Sequence, residues 1–459
     1  MSETLLPYYN RELGAIRRDA AEFAEAFPKV AGRLRLSAEA VDDPFVARLL
    51  EGVAFLAARV QHRLDDELPE LSDAVLEMLS PHLLAPLPSM TTLRLEGPRK
   101  PNELRVPAKV ARGLMVETDP VRGEPVRFRT CHDVTLWPLV LEGARLMGLP
   151  LAAPANPRAA GAAACLRLTF RTVAPDLPVA ALGLDRLRLH LHGVGTEAAI
   201  LHELLCTATL GVAVADGPAD ARPTILGPDA VRAAGFEPEE AALPWPKRAF
   251  GGHRLLSEYF AFPDKFLYID VDGLEARSLV QQSDRLEIFV YLSRALPALE
   301  RSVSAETFAL GCTPAINLFP QRCEPITLDG TRAEWPVVPD ARRPVALEVY
   351  SVEEVRESRP DGSRRAVLPF HRLGRAMDAA QADTGPTGSE ARPAYNYVAS
   401  RRPATAPLGG TQTVLLLRDT AFDPAAPADG VLTVEALCCN RDLPAMLPFG
   451  GGQPRLRVA

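Results

Sequence analysis

The sequence has no apolar run long enough to cross a membrane. A span needs roughly 18 or more apolar residues. The best candidate, 204–215, is shorter and lies between Glu203 and Asp216. The N-terminus, MSETLLP, lacks the basic start and apolar stretch of a secretory signal. Cysteine is sparse: seven in 459 residues, an odd number with no CxxC spacing. That reads as reduced thiols in a cytosolic protein rather than a disulfide framework. An excess of basic charge is also missing. There are 51 Lys and Arg against 58 Asp and Glu, a formal net charge of −7, which argues against a bulk nucleic-acid binder. With 47% hydrophobic and 24% charged residues, the chain is far from the composition of a disordered segment. No GxSxG, HExxH, GxxxxGK[ST] or GxGxxG occurs. The sequence therefore offers no nucleophile elbow, zinc-protease helix or phosphate cradle.

What it does have is length and proline. A chain of 459 residues suggests about three domains and can bury real cores without metals or disulfides. The 43 prolines are nearly twice the ordinary ~5%. Proline is excluded from helix interiors and central strands, so much of the chain must be short strands, turns and loops.

Residues 1–88 read as a helical segment. Leu5, Tyr9, Leu13, Ile16, Ala20, Phe23 and Phe27 recur at spacings of three and four, one stripe of an amphipathic helix. Pro28 ends that run by disfavouring helix at Phe27. A second helix starts at Asp43 and Pro44, where Asp43 caps the free amides and Pro44 suits the first turn. Phe45, Leu49, Val53, Leu56, Val60 and Leu64 then repeat at helical spacing until Pro69. A third helix is predicted over 72–79 with Ser72 as its cap. These stripes have two readings: the core of a small helical domain, or a seam for partner helices. The candidate seam residues are Leu5, Tyr9, Leu13, Ile16, Phe23 and Phe27.

After Pro88 the period changes to two. Leu93 and Leu95, then Leu166, Leu168 and Phe170, then Leu187, Leu189 and Leu191 alternate with polar residues, the pattern of half-buried strands. A short helix is expected over 196–207. Further strands are expected over 265–272, 284–292, 345–352, 413–417 and 431–437. The predicted fold class is α+β: the helical segment 1–88, a β-rich domain 89–250, and a second β-rich domain 251–459 carrying a long flexible insertion near 356–412.

Four patterns invite a chemical reading. His190 and His192 share a strand face, which suits zinc. Arg186 and Arg188 share that face too and oppose a cation, so a solvated strand edge is the expectation. Asp270 and Asp272 form a paired carboxylate, with Ile269 and Val271 facing inward. No further oxygen ligands follow in order, so these too read as a polar strand face. Arg364, Arg365, Arg372, Arg375, Arg401 and Arg402 form an Arg-rich stretch with few aromatics for base stacking, which reads as a solvated loop. Gly251–Gly252 and Gly450–Gly452 read as tight turns. Cys438 and Cys439 point to opposite strand faces. No catalytic, metal or cofactor residue is expected.

Eight segments carry a resemblance. They are YYNREL (8–13), FAEAFPKVAGRL (23–34), DPFVARLLEGVAFLAARVQHRLDDELPEL (43–71) and PHLLAPLPSM (81–90). Then follow RFRTCHDVTLWPL (127–139), GGHRLLSEYFAFPDKFLYIDVDGL (251–274), FALGCTPAINLFPQRCEPI (308–326) and CNRDLPAMLPFGGG (439–452). In this order, over nearly the whole chain, they resemble the TssF (VasA/ImpG-like) family, the baseplate subunit of bacterial type VI secretion systems. The resemblance implies a structural role rather than an enzymatic one. It implies assembly with TssG, two copies to one, into a wedge joined by TssK and TssE. Wedges surround the VgrG spike and form the platform for sheath and tube. It places the chain in the cytoplasm of a Gram-negative bacterium, peripheral to the inner membrane through the assembled machine. It implies that the N-terminal helices enter a bundle shared with TssG, which favours the seam reading. Family chains usually continue past the CNRDLP region into a further domain, so a truncated or short member is expected here.

Overall fold

In the computed structural model the described residues are 5–35, 43–67, 69–97, 104–193, 195–246, 249–278, 280–329, 332–370, 395–404, 409–419, 430–448 and 453–458. The chain divides into two compact units, Met1–Leu84 and Ala85–Ala459. The fold is α+β: helices make the first unit and antiparallel sheets dominate the second.

The first unit contains α1 (Leu6–Ala26), α2 (Pro28–Arg33), α3 (Pro44–Glu67) and α4 (Pro69–Leu79). Each has a proline in its first turn, where the missing N–H has no helical partner to lose. Asp43 caps α3: the Phe45 amide donates to its Oδ1 at 2.9 Å. Two expectations shift. Pro28 ends α1 and also opens α2, because the residue that blocks one helix is well placed to start the next. Ser72 lies inside a helix rather than at its cap, since α4 already begins at Pro69. α1 packs along α3, with the Tyr8 ring edge-on to His62 at 5.2 Å.

The second unit has two main hydrophobic cores. The first draws on 139–308. One of its sheets runs Thr224–Leu226, Thr209–Ala215, Arg285–Leu292, Ala164–Thr172, Leu139–Gly148. The other runs Val231–Ala234, Tyr268–Asp272, Arg186–Leu191, Phe308–Ala309. Leu166, Leu168 and Phe170 from one sheet, Leu187, Leu189 and Leu191 from the other, and Leu201, Leu204 and Leu205 from helix α5 (Glu197–Ala208) share this core and are fully buried. The two-residue periodicity thus marks these inward faces correctly.

The second core draws on 93–128 and 315–443, on either side of the first in sequence. Its sheets join early and late strands: Met90–Arg94 lies on Cys312–Ile316, and Leu456–Val458 lies on Met115–Thr118. Position 250/251, the expected division, falls inside the first core. Strands from both sides of it pair directly, Arg285–Leu292 with Ala164–Thr172 and Tyr268–Asp272 with Arg186–Leu191. Of the expected insertion at 356–412, residues 371–394 and 405–408, including Arg372 and Arg375, lie outside the described residues. Much of the rest is strand: Glu348–Ser358, Arg364–Val367 and Tyr395–Pro403. Tyr395–Pro403 is held by Thr411–Asp419.

A buried asparagine pair ties the second core together. The Arg127 amide donates to Asn440 Oδ1 at 3.0 Å. Asn317 Nδ2 donates to Asn440 Oδ1 at 2.8 Å and to the Arg127 carbonyl at 2.6 Å. The Asn440 amide donates to Asn317 Oδ1 at 2.7 Å. Three of the segments that carry the family resemblance, 127–139, 308–326 and 439–452, meet here. Both asparagines are 1% exposed, so these bonds satisfy groups that would otherwise be orphaned inside the protein.

Candidate functional site

The charged pairs singled out in the sequence are engaged with one another. On adjacent strands Asp270 opposes Arg188 and Asp272 opposes Arg186. Arg188 holds Asp270 through two hydrogen bonds of 2.7 Å and reaches Glu240 at 2.6 Å. Asp272 is shared by Arg186 and Arg232. These carboxylates neutralise a guanidinium ladder across three strands. His190 is buried, its ring 4.6 Å from that of Tyr268, and burial holds its pKa down to about 4. His192 lies at the surface beside a depression of about 290 Å³. One imidazole is inside and the other outside. Among the described residues no group of three or more His, Cys, Asp or Glu is placed to hold a metal ion.

The Arg-rich stretch is also partly structural. Arg401 donates to the carbonyls of Val349 and Tyr350 at 2.9 and 2.6 Å. Arg402 forms a fork on Glu334 with two bonds of 2.7 Å. Cys438 packs in the second core and Cys439 in a smaller neighbouring one, on opposite faces of their strand. Burial pushes the Cys439 thiol up to about 11. Gly251 and Gly252 do not form a tight turn; they are the first residues of a helix, α6 (Gly251–Ala261). Gly450–Gly452 lie outside the described residues.

What stands out instead is an uncovered apolar stripe on α3. The helix buries its small residues Ala54 and Ala58, both 0% exposed. Of its large apolar residues Val46, Leu50 and Phe55 are half-buried, while Phe45 is 87% exposed, Leu49 67%, Leu56 61% and Val60 61%. Val53 and Leu64 lie on the same stripe and are also exposed. At about 100° per residue the stripe lies opposite the two alanines. The alanines allow close packing on their side of α3, and six large apolar residues are left exposed on the other side.

The six candidate seam residues on α1 and at its two caps divide. Leu5, Tyr9, Leu13 and Ile16 are half-buried, while Phe23 and Phe27 are exposed and stack at 5.3 Å between ring centres. The sequence gives both stripes, and the candidate seam residues named from it lie along α1; the stripe on α3 is the more exposed of the two. The signal for α3 was in the sequence, since its six apolar positions repeat without a polar interruption. Periodicity finds the apolar face of a helix but does not say whether the same chain covers it. No helix among the described residues is long and apolar enough to cross a membrane.

Comparison with known proteins finds matches along the whole chain. The profile described as "Type VI secretion system, TssF" matches residues 1–459. The type VI secretion system component TssF1 of Pseudomonas aeruginosa strain PAO1 is 38% identical over 460 residues, covering 98% of this chain and 73% of that protein. Among solved structures, a chain of the TssK-TssF-TssG baseplate subcomplex, determined by cryo-electron microscopy, superimposes with a TM-score of 0.64 at 26% identity. That match covers 86% of this chain and 67% of the other. A chain of the type VI secretion baseplate complex aligns with a TM-score of 0.49 at 22% identity, covering 99% and 73%.

Proposed function

The chain belongs to the TssF family of the type VI secretion system, a structural component of the baseplate, and we propose that it enters the wedge through the apolar seam of α3. The observation that carries this reading is the exposure of Phe45, Leu49, Leu56 and Val60 on one face of a 24-residue helix. A solvent-facing stripe of that length is unfavourable in water and becomes favourable once a second helix covers it. Phe23 and Phe27 at the end of α1 supply two further aromatic anchors. Tyr9, Leu13 and Ile16 serve mainly the packing within the unit.

The partner proposed for the seam is TssG, with two copies of this chain to one of TssG. TssK and TssE join the wedge, and the ring surrounds the VgrG spike as the platform for sheath and tube. The chain performs no catalysis of its own and works in the cytoplasm, held near the inner membrane by the assembled machine. Permanent subunit contacts bury on the order of 2,000 Å² or more, so the α3 stripe is the apolar centre of a larger surface.

The test is co-expression with the neighbouring TssG-like protein, followed by size-exclusion chromatography with light scattering. A complex of two copies to one partner is expected, together with its loss when Leu49, Leu56 and Val60 are changed to Asp. Undiminished capture by the triple variant would refute the seam. Elemental analysis of the purified protein tests a metal enzyme, and a gel shift at moderate salt tests nucleic-acid binding. Neither bound metal nor retardation is expected.

A further inference from the structure

The sheet that carries Leu166, Leu168 and Phe170 into the first core bears an arginine cluster on its other face. Arg145 lies directly opposite Arg167, and Arg171 directly opposite Arg285, on neighbouring strands. Like charges set opposite one another in a sheet oppose folding. Three carboxylates answer these four guanidiniums within the chain. Glu287, whose side chain is 1% exposed, is held in a fork by Arg167 at 2.8 and 2.9 Å and lies 2.8 Å from Arg285. Arg171 lies 3.0 Å from Glu142 and 3.6 Å from Asp284. Arg145 is left over. It is exposed and has neither ion pair nor hydrogen bond among the described residues.

These side chains surround a hollow of about 330 Å³, lined by Arg145, Arg167 and Arg285 with Gly143 and Thr169 between them. The strand slips its register at Glu142, so that Gly143 rather than Glu142 stands opposite Thr169. Glycine puts no side chain into the space, and the hollow stays open. Two sets of donors beside it are unused. One is the whole guanidinium of Arg145. The other is Nε of Arg285, buried without a partner among the described residues.

The chain itself shows what such a site takes. The Glu287 carboxylate bridges Arg167 and Arg285. A second carboxylate entering from solvent could bridge Arg145 and Arg167 in the same way, because directly opposite residues hold their Cβ atoms only ~5 Å apart. A nucleic acid matches less well. Its phosphates form a run of charge, whereas one guanidinium here is unanswered and Glu142 and Asp284 stand at the rim. No ring is open for base stacking, since Phe289, under Arg167 at 5.8 Å, is 0% exposed. A two-fold contact between copies of this chain, centred here, would set the arginines against themselves.

We propose that this hollow receives one aspartate or glutamate side chain from a different protein of the baseplate. The inference rests on the baseplate reading above and adds a polar contact in the second unit. Arg145 is the residue that recognises the incoming charge, and Arg167 and Arg285 complete its hydrogen bonds.

The test places the photo-crosslinker p-benzoyl-phenylalanine, in separate strains, at Val140 and Leu149. These are exposed residues on either side of Arg145, open by 51% and 72%. The cells express the whole baseplate. The expected cross-link joins one of these positions to a segment of another baseplate protein that carries an Asp or Glu. Arg145→Glu should lower its yield by about tenfold or more. The urea midpoint of the isolated chain should not fall, because a glutamate at 145 faces Arg167. Changing the captured acidic residue to Arg should restore the cross-link to the Arg145→Glu chain. An undiminished yield with Arg145→Glu overturns the proposal, as does the failure of every such reversal to restore it. A cross-link only to a second copy or to nucleic acid overturns it, and so does none from either position in an assembled baseplate. Capture of the TssG-like protein, measured in the same cells, separates the two ideas: if it persists while the cross-link is missing, only this inference fails. If the unmodified chain enters no baseplate at all, both fail together.

Discussion

Two positions on α3, two residues apart, should respond to aspartate in opposite ways. Leu56 is large and 61% exposed; Ala58 is small and 0% exposed. By size alone, losing the leucine should be the graver change. The structure reverses that order. In the isolated chain Leu56→Asp removes a side chain that touches mostly water. It should alter stability by at most about 1 kcal/mol, the scale of helix propensity and surface effects. Ala58→Asp forces a carboxylate into a closed space and should cost about 3 kcal/mol or more. Thermal unfolding of the full chain, followed by its helical circular dichroism signal, distinguishes them. For assembly the roles differ again. Leu56 leaves about 110 Å² open, and covering it is worth about 2–3 kcal/mol at ~25 cal/mol per Å². Leu56→Asp should therefore weaken capture of the TssG-like partner by about 30-fold or more, with the protein still folded. If Leu56→Asp instead melts the helices and Ala58→Asp does not, the stripe is core and the seam argument is wrong.

Three other outcomes follow from the second unit. Glu258→Ala leaves the buried Lys265 ammonium without its counter-charge and should cost about 3–5 kcal/mol; the double change Glu258→Gln with Lys265→Met should recover much of it, as read from urea midpoints. Asn440→Ala strips the Arg127 amide of its buried partner and Asn317 Nδ2 of one of its two acceptors and should cost about 1–3 kcal/mol, again by urea unfolding. The third concerns pH: burial lowers the pKa of His132 from 6.5 to about 3, with Arg188 and Lys265 lowering it further and Glu240 opposing them. His190 is lowered to about 4, again mainly by burial. The unfolded chain then binds more protons than the folded one between these values and 6.5. Stability is full above pH 6.5 and falls as the pH drops towards 4, by up to about 1.4 kcal/mol per pH unit for each histidine. His132→Gln should flatten that slope, and an unchanged slope would remove His132 as its source.

Local patterns in this chain were legible wherever neighbours in sequence decide the outcome. The Asp43–Pro44 start of α3 and the inward faces of Leu166–Leu168–Phe170 and Leu187–Leu189–Leu191 depend on capping and on two-residue alternation, and both can be read from a short window. The division expected at 250/251 was not legible, because it depends on pairings about a hundred residues apart. Nothing near Met90 or Cys312 says that the two strands lie side by side. Nothing near Asn317 says that Asn440 completes its hydrogen bonds. The guanidinium ladder was half legible: the sequence placed Arg186 with Arg188 and Asp270 with Asp272 on polar faces, but only the sheet register brings the two pairs together.

The candidate site shows a different limit. A periodic apolar stripe has the same spelling whether its partner is in the same chain or in another one, so periodicity cannot tell core from interface. What distinguishes them is where the other residues of the helix go. On α3 the alanines are buried, Val46, Leu50 and Phe55 are half-buried, and six large apolar residues stay exposed. On α6 an ion network is buried and the aromatics are not. In both helices several large apolar residues remain on the side that does not pack within the chain. A sequence folding only for its own stability would bury the larger apolar side, since that gives the greater gain per residue. On both helices that gain is left unmade within the chain, so the proposed α3 seam asks only for a partner that completes it.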